Sequence, residues 1–219
     1  MGEIRPGSVP SRPGRNRSWY LCYGKGLVDR VLALAGLVCL SPLLFALAIA
    51  VKLDSPGPVF FRHERVGRNF APFQVYKFRS MIVNAASMGP EITRGGDPRV
   101  TRIGRFLRAY KLDELPQLIN VLVGEMSLVG PRPEVARYVH MFRKDYETIL
   151  VVKPGITDYA ALEFRDEEAI LRACADAEEA YVRHILPAKI ALYKRYIARI
   201  SFCEDVRVLL RTLLCLFQR

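Results

Sequence analysis

The sequence has few cysteines and histidines, and neither kind is grouped. Its five cysteines are scattered and form no C-x-x-C pair, so we expect neither a disulfide framework nor a zinc site. Its three histidines, His63, His140 and His184, are isolated from one another, which argues against a histidine metal site and against a histidine-based triad. The lack of disulfide patterning favours a reducing compartment for the folded part of the chain.

Three motifs of common enzyme classes are also absent. The chain has no G-x-x-x-x-G-K-[ST] loop, no G-x-S-x-G elbow and no G-x-G-x-x-G loop. These absences argue against a P-loop nucleotide hydrolase, an α/β-hydrolase and a dinucleotide-binding enzyme.

The charge balance is strongly basic, with a formal net charge of +11 over 219 residues. This excess indicates an anionic partner, and nucleic acid, lipid headgroups and phosphorylated small molecules all qualify on charge alone. Residues 1–24 are rich in Arg, Pro, Gly and Ser, which predicts a mobile basic arm. The apolar run that follows is longer than that of a secretory signal peptide and lies deeper in the chain, so we do not expect a signal peptide.

That apolar run extends from Val31 to Val51 without a charge, and about 20 apolar residues are enough for a helix to cross a bilayer. Ser41-Pro42 lies in its middle, where proline removes a helical hydrogen bond. Both flanks carry the same excess of basic residues, so the positive-inside tendency places both in the cytoplasm. We therefore predict that residues 25–52 form a re-entrant helix-break-helix hairpin, with a single straight span as the alternative. The Ser41 hydroxyl is a candidate partner for a freed carbonyl.

Residues 53–219 are predicted to form a catalytic domain of the α/β class, mostly helical with a small sheet. Alternating apolar and polar residues around Phe60 and from Phe73 to Arg79 predict two short strands. Lys77 and Arg79 then share one strand face, which is either a phosphate-binding face or a solvated one.

A basic amphipathic helix is predicted next. Four cations recur at every third position with apolar residues between them, as in helices that lie in a headgroup layer; they are Arg102, Arg105, Arg108 and Lys111. A second amphipathic helix is predicted near the C-terminus, from Val206 to Phe217.

Two adjacent carboxylates, Asp113 and Glu114, follow the basic helix. One interpretation is a helix start, since Asp, Glu and a following Pro are typical of a first turn. The other is chemistry between anionic phosphates, in which an aspartate attacks phosphorus and Mg²⁺ screens the carboxylates. Arg132 lies between Pro131 and Pro133, which restrict its backbone and suit it to phosphate recognition.

Several long motifs resemble the bacterial sugar transferases, the monotopic phosphoglycosyl transferases. The resemblance covers about residues 26–202, with the motifs in family order. They are Lys77-Phe-Arg-Ser-Met81, Leu112-Asp-Glu-Leu-Pro-Gln-Leu118 with Asn120-Val-Leu122, Gly124-Glu-Met-Ser-Leu-Val-Gly-Pro-Arg-Pro133 and Pro154-Gly-Ile-Thr157.

The resemblance implies transfer of a sugar 1-phosphate from a UDP-sugar to a polyprenyl (undecaprenyl) phosphate, with release of UMP and with Mg²⁺ as cofactor. It implies a bacterial inner membrane location with the site on the cytoplasmic face, as the first step of glycoconjugate or exopolysaccharide assembly. The resemblance implies membrane lipids as partners and no nucleic acid, and it is compatible with a homodimer. The chain resembles the minimal catalytic form of the family.

The resemblance also implies roles for individual residues. Asp113 is expected to be the nucleophile that forms a phosphosugar-enzyme. Both carboxylates are expected to bind Mg²⁺, with Glu114 either helping to hold the ion or assisting the second step. The expected phosphate-binding residues are Lys77, Arg79, Arg108, Arg132 and, on a looser match, Arg165. Many members continue the Pro-Gly-Ile-Thr turn with Gly and an aromatic residue, whereas Asp158-Tyr159 follows here. The alternative from another class is a non-enzymatic membrane adaptor that binds anionic lipid or a partner protein.

Overall fold

A computed structural model describes residues 20–85, 88–89, 96–174 and 176–217. The predicted basic arm falls almost wholly outside these residues. A π-helical turn at Tyr20–Gly24 opens the described chain. The regular elements that follow are α1 (Lys25–Asp54), β1 (Phe60–Val66), β2 (Pro72–Phe78), α2 (Arg102–Ala109), α3 (Gln117–Val123), β3 (Ser127–Val129), α4 (Ala136–Met141), α5 (Arg143–Ile149), β4 (Gly155–Thr157), α6 (Tyr159–Glu163), α7 (Glu167–Arg172), α8 (Ala177–Ala180), α9 (Leu186–Arg199) and α10 (Phe202–Phe217). The prediction of a mostly helical chain with little sheet is confirmed.

Helix α1 has the length and composition of a membrane-spanning helix, and among the described residues it is the one that does. It is helical without interruption through Pro42, so the predicted division into two helices is not seen. Pro42 lacks the N–H that would bond the carbonyl of Val38 four residues earlier. The Ser41 hydroxyl donates to that carbonyl instead, at 2.8 Å, as the sequence suggested.

Both ends of α1 are bonded to the same folded domain. Near its start, Asp29 accepts hydrogen bonds from the Ser127 hydroxyl at 2.7 Å and from the Leu128 N–H at 3.3 Å. At its end, Asp54 accepts from the Ile103 N–H at 2.9 Å. Both ends of α1 are therefore anchored to one domain, and the re-entrant topology itself stays a prediction.

The described strands form two small sheets. The predicted pair, β1 and β2, is an antiparallel hairpin. The other pair, β3 and β4, is parallel, with Ser127 opposite Gly155, and the sequence analysis did not predict it. Gly130 and Gly155 make it possible, because a Cβ on Gly155 would lie 2.1 Å from the Gly130 nitrogen. The resulting close approach joins two loops that carry site residues.

The helices of the C-terminal half pack around a core rich in tyrosine. Tyr146, Tyr181 and Tyr193 are buried there together with aliphatic residues of α4, α5 and α9. A second cluster joins α1 to α3 and β3 through Ala33 and Val121. The site described next lies where α2, α3 and β2 meet the loop after β3.

Candidate active site

The Asp113-Glu114 pair lies on a short turn between two helices. A 3₁₀ turn covers Leu112–Glu114, and Lys111 before it has a left-handed backbone with φ of 57°. Such a conformation is strained for a residue with a side chain and is concentrated at functional sites. Helix α3 starts only at Gln117 and has no side-chain cap. The helix-cap interpretation of Asp113 therefore does not describe this structure.

Glu114 is held by two cations. Lys77 Nζ donates to its Oε1 at 2.8 Å. Arg132 forms a fork on the same carboxylate, with Nη1 donating to Oε2 at 3.1 Å and Nη2 donating to Oε1. Burial alone would raise the pKa of Glu114, but the Arg132 and Lys77 charges hold it well below its usual range. Glu114 is thus a fixed anion that holds two cations side by side.

Asp113 has the opposite environment. The residue is 7 % exposed, and its Oδ1 accepts no hydrogen bond within the described residues. Burial raises the pKa of Asp113, and the charge of Lys77 opposes that shift only in part. A carboxylate oxygen that is neither solvated nor paired is a stronger nucleophile and an available metal ligand.

The other predicted cations lie at different distances from the pair. Arg108 Nε donates to the Ser80 hydroxyl at 3.0 Å. Burial raises the pKa of Asp113, and the Arg108 charge, like that of Lys77, opposes this rise. Arg165 is half-buried between α6 and α7, and no hydrogen bond within the described residues joins it to Asp113 or Glu114. Lys77, Arg108 and Arg132 are therefore the cations gathered around the pair.

Arg79 is engaged elsewhere. Its Nη2 donates to the Val51 carbonyl at 3.2 Å and to the Ser55 carbonyl at 2.7 Å, and its Nη1 donates to the Pro56 carbonyl at 2.8 Å. A guanidinium in this position satisfies one carbonyl in the last turn of α1 and two just beyond it, and it suits the negative end of the helix. The predicted phosphate-binding role of Arg79 stays a prediction.

Two supporting residues were not predicted as part of the site. Asn120, on α3, accepts from the Tyr76 N–H at 3.0 Å and donates to the Gln74 carbonyl at 2.7 Å. It thereby fixes the strand that carries Lys77 against the helix that follows Glu114. The signal was an amide in the middle of the apolar run of α3, one of two in that helix with Gln117. The second residue, Asp158, accepts from the Arg132 N–H at 3.2 Å.

An apolar cleft of about 270 Å³ lies between α1 and the start of α3. One wall is the middle of α1, around Leu37 and Phe45, and the other includes Pro116 and Ile119, which follow Glu114 in the chain. Phe60 and Phe78 complete it. The segment that carries the two carboxylates therefore leads into one wall of an apolar cleft whose other wall is the helix suited to a membrane.

The sequence profile described as bacterial sugar transferase matches residues 20–219. A relative from Xanthomonas campestris pv. campestris, named UDP-glucose:undecaprenyl-phosphate glucose-1-phosphate transferase, is 40 % identical over 216 residues, which is 94 % of this chain. A relative from Aeromonas hydrophila, named as the corresponding UDP-N-acetylgalactosamine enzyme, is 37 % identical over 189 residues, or 85 % of this chain. The match covers 42 % of each of these relatives, so this chain spans less than half their length.

Relatives closer to this chain in length also match. One from Caulobacter vibrioides, named UDP-glucose:undecaprenyl-phosphate glucose-1-phosphate transferase, is 38 % identical over 86 % of this chain and 67 % of its own length. An exopolysaccharide production protein from Rhizobium leguminosarum bv. phaseoli is 37 % identical over 86 % of this chain and 92 % of its own length.

Proposed function

Because the chain belongs to the bacterial sugar transferase family, we propose that it transfers a sugar 1-phosphate from a UDP-sugar to a polyprenyl phosphate and releases UMP. The observation that carries this proposal is the unpaired, buried Oδ1 of Asp113 beside a carboxylate clamped by Lys77 and Arg132. A membrane adaptor needs no such nucleophile, so the site favours the enzyme.

The first step is attack by Asp113 on the phosphorus that carries the sugar. A bond forms between the Asp113 carboxylate and that phosphorus, while the bond to the UMP phosphate breaks and its electron pair leaves with UMP. The product is an acyl phosphate bearing the sugar, which divides one difficult transfer into two. Lys77, Arg108 and Arg132 offset the charge of the diphosphate in a site of low water content.

The second step returns the enzyme to its starting state. A phosphate oxygen of the lipid attacks the same phosphorus, and the Asp113 carboxylate leaves. The product is a polyprenyl diphosphate sugar. Both steps use the same cations, because both pass through a charged phosphoryl group in the same place.

Mg²⁺ is proposed as the cofactor, and the residues fit it. Mg²⁺ characteristically binds one or two carboxylates together with substrate phosphates, and Asp113 offers an oxygen without a protein partner. Glu114 is the second carboxylate, although its two cations already engage it. When bound, the ion would neutralise the charge of the diphosphate.

The lipid acceptor accounts for the apolar cleft. A polyprenyl tail needs an apolar surface that leads from the site to the bilayer, and the cleft between α1 and Pro116 offers one. We propose that both ends of α1 lie on one side of the inner membrane and that the site is on its cytoplasmic face, where UDP-sugars are made. The reaction would start a membrane-linked glycan.

UMP release from a panel of UDP-sugars tests this function. The purified protein, in detergent with Mg²⁺ and undecaprenyl phosphate, is given UDP-glucose, UDP-N-acetylgalactosamine and other UDP-sugars. We expect one sugar to yield UMP and a lipid-linked product in equal amounts. Asp113→Asn should lose at least about 10³-fold, as removal of a covalent nucleophile does, and Asp145→Asn on the surface of α5 should not. Binding of lipid without UMP release from any sugar would favour the adaptor.

A further inference from the structure

The two loops that follow β3 and β4 run side by side. The Gly130 N–H donates to the Thr157 carbonyl at 3.0 Å, and the Gly155 N–H donates to the Pro131 carbonyl at 2.9 Å. Parallel strands end at the same edge, so this pairing brings the residue after β4, Asp158, next to Arg132. The two residues are far apart in the sequence, so their contact could not be predicted from it.

The Asp158 carboxylate makes two backbone contacts, one in the first turn of α6 and one in the loop after β3. Its Oδ1 accepts from the Ala161 N–H at 2.6 Å and caps α6, and its Oδ2 accepts from the Arg132 N–H at 3.2 Å. Prolines 131 and 133 have no N–H, so Arg132 carries the one backbone donor of this three-residue segment. Asp158 is 1 % exposed, which excludes water as a substitute for either contact.

We propose that Asp158 is a positioning residue for the transfer reaction, acting through Arg132. By fixing the main chain of Arg132, it sets where the guanidinium fork meets Glu114 and where that guanidinium would meet a substrate phosphate. The effect on rate rests on the proposed function, whereas the effect on the Arg132 backbone does not.

The surroundings of Asp158 support this role. Burial raises its pKa to about 6, while the Ala161 contact and the Arg132 charge oppose that shift. The other groups that face it are Lys189, whose charge also lowers its pKa, and the hydroxyls of Tyr146 and Tyr193. The charges of Arg132 and Lys189 thus favour the ionised form of Asp158.

The next residue points elsewhere. The Tyr159 hydroxyl donates to Glu204, and the Arg195 guanidinium lies 5.4 Å from the Tyr159 ring centre. Tyr159 thus packs on α9 and α10. Asp158 stands where many members have Gly and contacts the Arg132 loop, whereas Tyr159 keeps the aromatic character of the family turn and packs elsewhere.

Replacement by serine separates the two contacts of Asp158. A serine at a helix N-cap still accepts from the N–H in the first turn, but its shorter side chain does not reach Arg132. We expect Asp158→Ser to keep its melting temperature within a few degrees of the parent and to lose between about 10- and 100-fold in kcat for UMP release, as displacement of a catalytic group does. Asp176→Ser is the matched control, because Asp176 caps α8 away from the site, and it should keep full activity.

A double-mutant cycle with Arg132→Ala shows whether Asp158 acts through Arg132. If it does, the double variant is no slower than Arg132→Ala alone, because the effects of residues that act together are not additive. Losses that multiply would overturn the proposal. Full activity of Asp158→Ser alongside an impaired Asp158→Ala would also overturn it, since only the helix cap would then matter.

Hydrogen exchange tests the contact without the reaction. Arg132 carries the only exchangeable amide between Gly130 and Glu134, so mass spectrometry of peptides over this segment isolates it. We expect that amide to exchange faster in Asp158→Ser than in the parent, while the rest of the domain is unchanged; equal protection would contradict the tether. If Asp158→Ser lowers amide protection throughout the domain, Asp158→Asn is used in its place. The asparagine side chain has one carbonyl oxygen, which cannot accept from both the Ala161 and Arg132 N–H groups as the carboxylate does. A parent without UMP release would refute the proposed function and leave this exchange result valid.

Discussion

At the residue scale, Asp113 and Glu114 differ although they are neighbours in the sequence. Glu114 is neutralised by Lys77 and Arg132, whereas Asp113 Oδ1 is buried and has no hydrogen-bond partner in the part of the chain that the structure describes. The sequence predicted the residues that meet here, because the types and order of the motifs indicate phosphate chemistry. It did not predict which carboxylate is paired, since that depends on how β2 and the loop after β3 are placed in space.

The burial of Asp113 predicts a stability difference that depends on pH. Burial raises its pKa, so the folded protein holds the proton more tightly than the unfolded chain does. The ionised form therefore lowers stability at neutral pH, and the penalty disappears below about pH 4, where the carboxyl group is protonated in both states. We expect Asp113→Asn to be inactive yet more stable than the parent by about 0.5–2 kcal/mol at neutral pH.

Thermal unfolding in detergent at neutral pH and near pH 4 measures this effect. Asp145→Asn is the control, because the Asp145 carboxylate accepts a hydrogen bond from Lys194 at the surface. Removing that charge should not raise the melting temperature. A lower melting temperature for Asp113→Asn at neutral pH would show that the Asp113 charge is well accommodated.

At the scale of the elements, periodicity and composition were sufficient for the long apolar helix, the basic helix and the β1–β2 hairpin. They were insufficient for β3 and β4, because three-residue strands are too short to show alternation, and their pairing depends on the close approach of Gly130 and Gly155. The helical course through Pro42 also differed from expectation. The Ser41 bond to Val38 satisfies the carbonyl that Pro42 leaves, so the helix continues.

The attachment of both ends of α1 to one domain predicts its topology. In a variant without native cysteines, single cysteines are placed at Ser8 before α1 and at Ser87 after it. We expect both to resist an impermeant thiol reagent in intact cells and both to react after the inner membrane is permeabilised. Labelling of only one of them in intact cells would show that α1 crosses the membrane.

At the scale of the whole molecule, apolar and basic surfaces occur together. Large apolar side chains are exposed on α1, α2 and α10, among them Leu27, Val38, Phe45, Phe106, Tyr110, Leu210, Leu213 and Leu214. Together with the net charge of +11, such surfaces favour binding of the protein to an anionic membrane surface. We propose that these surfaces bring Asp113 close to the membrane, so that a soluble sugar nucleotide and a lipid phosphate reach one carboxylate in turn.

The central claim is that Asp113 carries the sugar phosphate between the two substrates. Intact-protein mass spectrometry after mixing with the UDP-sugar and Mg²⁺, but without lipid, measures it directly. We predict a mass increase of one sugar phosphate, located on the peptide that contains Asp113 and lost when undecaprenyl phosphate is added. Full turnover by Asp113→Asn, or an adduct on another residue, would contradict it.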